Sequence, residues 1–208
     1  LHKAIRRQRQ MCIRDSHTPV HLGIPGRHNV MNALAAATVA MRYGMAPETV
    51  ARILASQHTI SPHRMALSTV NREGTSFTLI DDSFNANPDS MKAGLNGLKA
   101  WNSNDGKEPF RVALLGAMLE LGADETALHT SIGTYADELG IDAIIAVGSA
   151  QDQHLDALAQ ALADGARQSQ SASVDCVHDI DAAEQLVIDL ARNHPDAVVL
   201  LKGSHASG

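Results

Sequence analysis

Apolar residues recur along this chain in two rhythms, and the change between them divides it. Across residues 29–43 the positions Val30, Leu34, Ala37 and Met41 recur every three to four residues, which predicts a helix with one buried face, closed by Gly44. Pro47 suits the first position of a helix and predicts a second one over residues 47–56, so a helix pair is expected. After Pro62 the rhythm shortens. Residues 65–70 and 77–80 read as strands joined by a turn at Glu73-Gly74. Helices at 89–101, 125–139, 154–163 and 182–192 then alternate with strands at 112–115, 143–147, 174–177 and 197–201.

Short apolar strands between amphipathic helices predict an α/β fold: a mostly parallel sheet with helices on both faces, arranged as a Rossmann-like sandwich. Residues 61–208 form this domain and residues 17–60 supply the preceding helix pair. In such sheets ligands sit at the carboxyl ends of the strands. Three of the loops there carry unusual residues: Asp81-Asp82-Ser83, Gly116-Ala117-Met118 and Lys202-Gly203-Ser204.

Composition narrows the function classes. Aromatic residues make up 3% of 208 residues, and alanine and leucine carry the apolar load, which favours helices on a sheet over an aromatic-cored sandwich. The formal charge of -6 offers no global surface for nucleic acid, so anionic substrates would need local basic groups. Cys12 and Cys176 stand far apart, without metal-ligand spacing, and read as reduced thiols. No run reaches the ~18–20 apolar residues of a membrane span. Residues 1–16 are basic without an apolar core and match no later pattern; a disordered or foreign segment is expected there.

Four clusters carry candidate chemistry, each with an ordinary structural alternative. The run from Asp81 to Pro88 gathers two carboxylates, a hydroxyl and the amides of Asn85 and Asn87 ahead of a helix, suited to ribose hydroxyls, phosphate or peptide; a capped turn uses the same residues. Asn29 and Asn32 share one helical face, and paired amides read an adenine edge, unless Asn29 is only an N-cap and Asn32 merely exposed. Arg64, at the junction of the two regions, suits phosphoryl oxygens, or else forms a surface ion pair. Lys202 to Ser204 suits a carboxylate, or is a solvated strand end; His129, early on its helix, reads as structural. The chain holds no GxxxxGK[ST] phosphate loop, no GxGxxG after a strand, no HExxH and no visible Ser–His–Asp arrangement.

In order along the chain, these elements resemble the Mur ligase family, in the branch that attaches D-alanyl-D-alanine. Gly26-Arg27-His28-Asn29-Val30-Met31-Asn32-Ala33-Leu34-Ala35-Ala36 is similar to GRHNxxNALAA, and Ser61-Pro62-His63-Arg64 to the P-x-R segment that opens the C-terminal domain. Asp82-Ser83-Phe84-Asn85-Ala86-Asn87-Pro88 resembles DSYNANP, Leu115 to Gly122 resembles LGDMLELG, and Lys202-Gly203-Ser204 resembles KGSR. Each motif alone is weak; the ordered set is specific.

The resemblance implies ATP-dependent ligation of D-alanyl-D-alanine to UDP-N-acetylmuramoyl-tripeptide through an acyl phosphate, in the bacterial cytoplasm. Asn29 and Asn32 would contact adenine, Arg64 the terminal phosphates of ATP, and Asp82 the ribose, with Arg64, Asp82 and Lys202 as the catalytic candidates. Asn85, Asn87, Lys202 and Ser204 would lie near the dipeptide or the reaction centre. The phosphate loop, most ligands of Mg²⁺ and the N-terminal substrate domain are expected outside this chain, and no metal site within it. This polypeptide alone is therefore expected not to turn over, and its C-terminal domain to be clipped before a final helix. Three positions depart from the family pattern: Phe84 for Tyr, Ala117 for Asp and His205 for Arg. Another ligase of the superfamily, such as folylpolyglutamate synthase, shares the layout, but the NANP and LELG elements argue against it. A non-catalytic Rossmann-like binding module is the alternative from a different class; a phosphate loop upstream in the reading frame would separate it from a ligase.

Overall fold

The computed structural model describes residues 18–22, 27–57, 63–102, 108–169 and 172–204. The expectations for residues 1–16 and for His205 lie outside the described residues. The chain divides into two compact units, Leu1–Ile60 and Ser61–Gly208.

The first unit contains helices α1 (Arg27–Arg42) and α2 (Pro47–Ser56), with Pro47 opening α2 and Gly44 turning the chain at φ 90°. Two expectations change here. Helix α1 starts before Asn29, so Asn29 is not its N-cap; it lies within the first turn and is buried. The apolar stripe of α1 is also not a buried face, since Val30, Leu34 and Met41 are exposed. The 10-residue α2 is too short to cover the 16-residue α1.

The second unit is a six-stranded sheet in the order β1-β2-β6-β3-β4-β5. Its strands are β1 (Ala66–Arg72), β2 (Thr75–Asp81), β3 (Arg111–Leu115), β4 (Ala143–Val147), β5 (Ser173–Val177) and β6 (Val198–Lys202). Strands β1 and β2 form an antiparallel hairpin, with Glu73 and Gly74 both at positive φ in its turn; every other pairing is parallel. The connecting helices are α3 (Pro88–Lys99), α4 (Glu125–Glu138), α5 (Gln153–Ala166) and α6 (Ile180–Asn193).

Strand side chains alternate between two apolar layers, which is why the central strands read as unbroken apolar runs. Ala113, Leu115, Ile144, Ala146 and Leu200 face α3, α4 and α5 through Leu95, Ile132 and Leu162. Val112, Leu114, Ile145 and Val199 face α6 through Ala183, Val187 and Ala191. Strand β6, last in sequence, lies between β2 and β3. That insertion brings the loop after Lys202 beside the loops that follow Asp81 and Leu115.

Candidate functional site

Three loops at the carboxyl edge of the sheet are fastened by backbone hydrogen bonds that extend the ladder past the strand ends. Asp82 N–H donates to the Leu201 carbonyl at 2.8 Å, Gly116 N–H to that of Lys202 at 2.8 Å, and Ser204 N–H to that of Ala117 at 3.0 Å. The chains approach closely where Gly203 meets Gly116: a β-carbon on Gly203 would lie 3.1 Å from the Gly116 Cα. Small residues at both points let the loops lie side by side.

The loop after β2 is folded by its own polar side chains. Asp81 Oδ1 accepts from Ser83 N–H at 3.1 Å and from the Ser83 hydroxyl at 2.7 Å. Asn85 Oδ1 accepts from Ala86 N–H at 2.8 Å. Asn87 is the N-cap of α3: its side chain accepts from Ser90 N–H, while the Ser90 hydroxyl accepts from Asn87 N–H, a reciprocal capping box. Both asparagines are exposed, and among the described residues neither side-chain NH₂ has a partner. The capped-turn and ligand readings of this run are therefore compatible: the oxygens build the loop and the amide donors stay available.

Lys202 is not a solvated strand end. It is 1% exposed, and its ammonium lies 2.5 Å from Asp82 Oδ2 and 3.4 Å from the Asn85 carbonyl. Its alkyl stem runs against α3 at Gly94, where a β-carbon would sit 2.9 Å from Lys202 Cδ. The other oxygen of Asp82 accepts from Met65 N–H at 3.2 Å. A carboxylate has about four lone-pair positions, so Asp82 held in this way keeps acceptor capacity for a ligand hydroxyl.

Arg64 is exposed and its guanidinium carbon lies 4.1 Å from the centre of the Phe84 ring, a cation–π contact. No carboxylate pairs with it among the described residues, so the surface ion pair considered for it is absent there. His63, beside it, sets its Nδ1 2.8 Å from Asp81 Oδ2. Sequence reasoning assigned no role to His63 and counted Asp81 only as one of two carboxylates suited to a ligand, not as a partner of His63. The positive φ values that make this segment distinctive are at His63 and Met65, residue types that carry no turn signal.

The Gly116-Ala117-Met118 loop is pinned by His129. Its Nε2 accepts from Met118 N–H at 2.9 Å, and its Nδ1 donates to the Glu125 carbonyl at 2.7 Å. The ring is fully buried, and that desolvation pushes its pKa below the ordinary value. Ala117, standing where the family pattern has Asp, is buried and offers its carbonyl to Ser204.

The second unit thus brings Arg64, Asp82, Asn85, Asn87 and Ser204, on loops, together with Lys202, at the end of β6, to one edge of the sheet. In the first unit, Asn32 Nδ2 donates to Asn29 Oδ1 at 3.3 Å, so the two amides form a pair on α1. Among the described residues no group of three or more His, Cys, Asp or Glu side chains could hold a metal ion, and no helix is long and apolar enough to cross a membrane.

Comparison with known proteins agrees with this architecture. Residues 63–205 match the family model described as Mur ligase, glutamate ligase domain. The UDP-N-acetylmuramoyl-tripeptide–D-alanyl-D-alanine ligase of Mycobacterium tuberculosis (strain CDC 1551 / Oshkosh) is 38% identical over 200 residues, covering 93% of this chain and 38% of that protein. The ligase of the same name from Escherichia coli (strain K12) is 35% identical over 129 residues, covering 62% of this chain and 26% of that protein. Among solved structures, MurF from Acinetobacter baumannii superposes with a TM-score of 0.72 at 28% identity, over 92% of this chain and 39% of that one. The chain therefore spans little more than a third of the length of such relatives. With the family model matched from His63 onward and the loop motifs standing at the carboxyl edge of its sheet, the chain belongs to the Mur ligase family.

Proposed function

We propose that this chain is the nucleotide-closing and dipeptide-facing part of an ATP-dependent ligase that joins D-alanyl-D-alanine to UDP-N-acetylmuramoyl-tripeptide in peptidoglycan precursor synthesis. The relatives that cover 93% of the chain carry that name. The observation that carries the reading is the placement of Arg64, without a carboxylate partner among the described residues, and a fixed Asp82–Lys202 pair side by side at the ligand-binding edge of the sheet.

Each residue then has a definable task. Arg64, with no carboxylate partner among the described residues, offers a guanidinium to the terminal phosphates of ATP. Asp82, held by Lys202 and by Met65 N–H, accepts from ribose hydroxyls. The amide donors of Asn85 and Asn87 and the loop at Ser204 face the incoming dipeptide. In the first unit, the Asn29–Asn32 pair reads the adenine edge.

ATP supplies the phosphoryl group that activates the carboxylate of the acceptor peptide. The amine of D-alanyl-D-alanine then forms the amide bond as phosphate leaves. Such chemistry rests on positioning and charge stabilisation rather than on a protein nucleophile, which accounts for Arg, Lys, Asp and Asn here. Mg²⁺ would be held mainly by residues outside this chain, and the UDP-linked substrate places the reaction in the bacterial cytoplasm.

The test is ligation by the full reading frame that holds this chain. ADP and phosphate release should require UDP-N-acetylmuramoyl-tripeptide and D-alanyl-D-alanine together, and Arg64→Ala should abolish most of it. Activity with a folate and glutamate in their place would overturn the reading. The 208-residue chain alone should give no ligated product.

A further inference from the structure

We propose that His63 and Asp81 form a clamp that aims Arg64, making both of them positioning residues for the nucleotide. The inference rests on the ligase reading above only for the identity of what Arg64 meets.

Arg64 stands between two residues in the left-handed region, His63 at φ 61° and Met65 at φ 50°. Neither is glycine, and side chains with a β-carbon rarely adopt this backbone. Such a conformation persists where the surroundings hold it. Here they hold it on both sides of Arg64. The His63 ring donates from Nδ1 to Asp81 Oδ2 at 2.8 Å, and the His63 carbonyl accepts from Phe84 N–H at 3.0 Å. Met65 donates its N–H to Asp82 Oδ1 at 3.2 Å and buries its side chain. Both anchor sets lie at the last residue of β2 and on the loop that follows it.

Asp81 is the common element. One of its oxygens takes His63; the other takes the backbone N–H and the hydroxyl of Ser83. A single carboxylate therefore ties the 63–65 segment to the loop that carries Phe84, the ring on which the Arg64 guanidinium rests. Because the residues on either side are fastened, Arg64 keeps one direction with no acidic partner among the described residues. A carboxylate partner would hold the guanidinium equally well but would compete with phosphate for it. The clamp fixes direction and leaves the charge free.

The contact is solvent-facing on its His63 side, with that side chain 54% exposed against 19% for Asp81, so the His63–Asp81 bond contributes little to stability. Its removal should therefore move the function of Arg64 while leaving the fold intact. His63→Gly removes the imidazole without adding backbone strain and leaves the Asp81–Ser83 bonds in place, Asp81→Ala removes the carboxylate together with those bonds, and His63→Asn keeps a side-chain donor on a residue that tolerates positive φ.

Side-chain proton shifts of Arg64, displaced by the Phe84 ring current, report its position in the chain as it stands. They should collapse toward unstructured values in His63→Gly and Asp81→Ala and be retained in His63→Asn, with the sheet amide resonances unchanged in all three. In the full reading frame, His63→Gly should raise the KM for ATP about tenfold, equivalent to about 1.4 kcal/mol, with kcat changed less than about twofold, and His63→Asn should restore it. Arg64 shifts that persist in His63→Gly and Asp81→Ala overturn the clamp. So does an unchanged KM for ATP when the shifts have collapsed. A wild-type protein without ATP-dependent ligation would instead overturn the ligase reading, since the spectroscopic result stands without it.

Discussion

The Lys202 ammonium lies 2.5 Å from Asp82 Oδ2, with the lysine side chain 1% exposed and the aspartate 18% exposed. Two residues that the motifs present as separate ligands are thus one unit. Removing one partner of such a pair strands the other. Lys202→Met should lower the unfolding free energy of this chain by about 3 kcal/mol, the low end for a broken buried pair because Asp82 retains some water. Urea denaturation measures it. The double variant Lys202→Met/Asp82→Asn should recover part of that loss, because no charge is then left unpaired. An additive double variant would show that the two groups do not interact.

Gly94 is where helix α3 makes room for the stem of Lys202. Alanine there gains helix propensity of about 1 kcal/mol, yet its β-carbon would sit 2.9 Å from a methylene of the buried Lys202 side chain. The clash should win, giving a net loss of about 1 kcal/mol in Gly94→Ala. In a Lys202→Ala background the same change should be neutral or stabilising. Thermal melts of the four proteins decide the sign.

Phe84 stands where the DSYNANP pattern it resembles has tyrosine, and the contact it makes uses only what the two residues share. Arg64 rests on the ring face, which the two side chains share. Phe84→Tyr should leave the KM for ATP within about twofold. Phe84→Ala should raise it about threefold, the weight of a contact worth roughly 0.5–1 kcal/mol at an exposed site. Steady-state kinetics of the full reading frame separate the two.

The central strands were legible because burial on both faces turns them into unbroken apolar runs, as in Ile144-Ile145-Ala146. Their order was not: local patterning carries no signal that β6 inserts between β2 and β3. The site was legible as motifs but not as partners. Lysine is ordinarily a surface residue, so nothing near Lys202 announces a buried pair with Asp82, 120 positions away. Asparagines that cap and asparagines that bind look alike in sequence, and Asn87 is demonstrably a cap. The stripe on α1 was readable as helix but misleading as core, because periodicity shows which residues share a face and not whether anything covers it.

His129 gives the chain a pH dependence whose sign follows from its burial. Its pKa is lowered in the folded state, so the unfolded chain binds a proton that the folded chain resists. The contribution of His129 is present above the unfolded value of about 6.5 and is lost as pH falls below it, by up to about 1.4 kcal/mol per pH unit until the folded ring protonates. His129→Gln keeps an acceptor for Met118 N–H and does not titrate. Plotted against pH, the stability of the wild type minus that of this variant should be level above pH ~7 and fall below ~6.5. A difference that stays flat between pH 5 and 8 would falsify the neutral, doubly bonded ring.

Asn87 has two roles assigned to it, and one pair of variants separates them. As the cap of α3 it uses its side-chain oxygen, so Asn87→Ala should destabilise the chain by about 1 kcal/mol. Serine caps as well as asparagine but has no NH₂ to offer a dipeptide, so Asn87→Ser should keep the stability of the wild type. If the amide donor meets D-alanyl-D-alanine, Asn87→Ser should raise the KM for the dipeptide several-fold while the KM for ATP stays constant. Should the serine variant match the wild type in both, Asn87 only caps the helix, and the dipeptide contact belongs to Asn85 and the Ser204 loop.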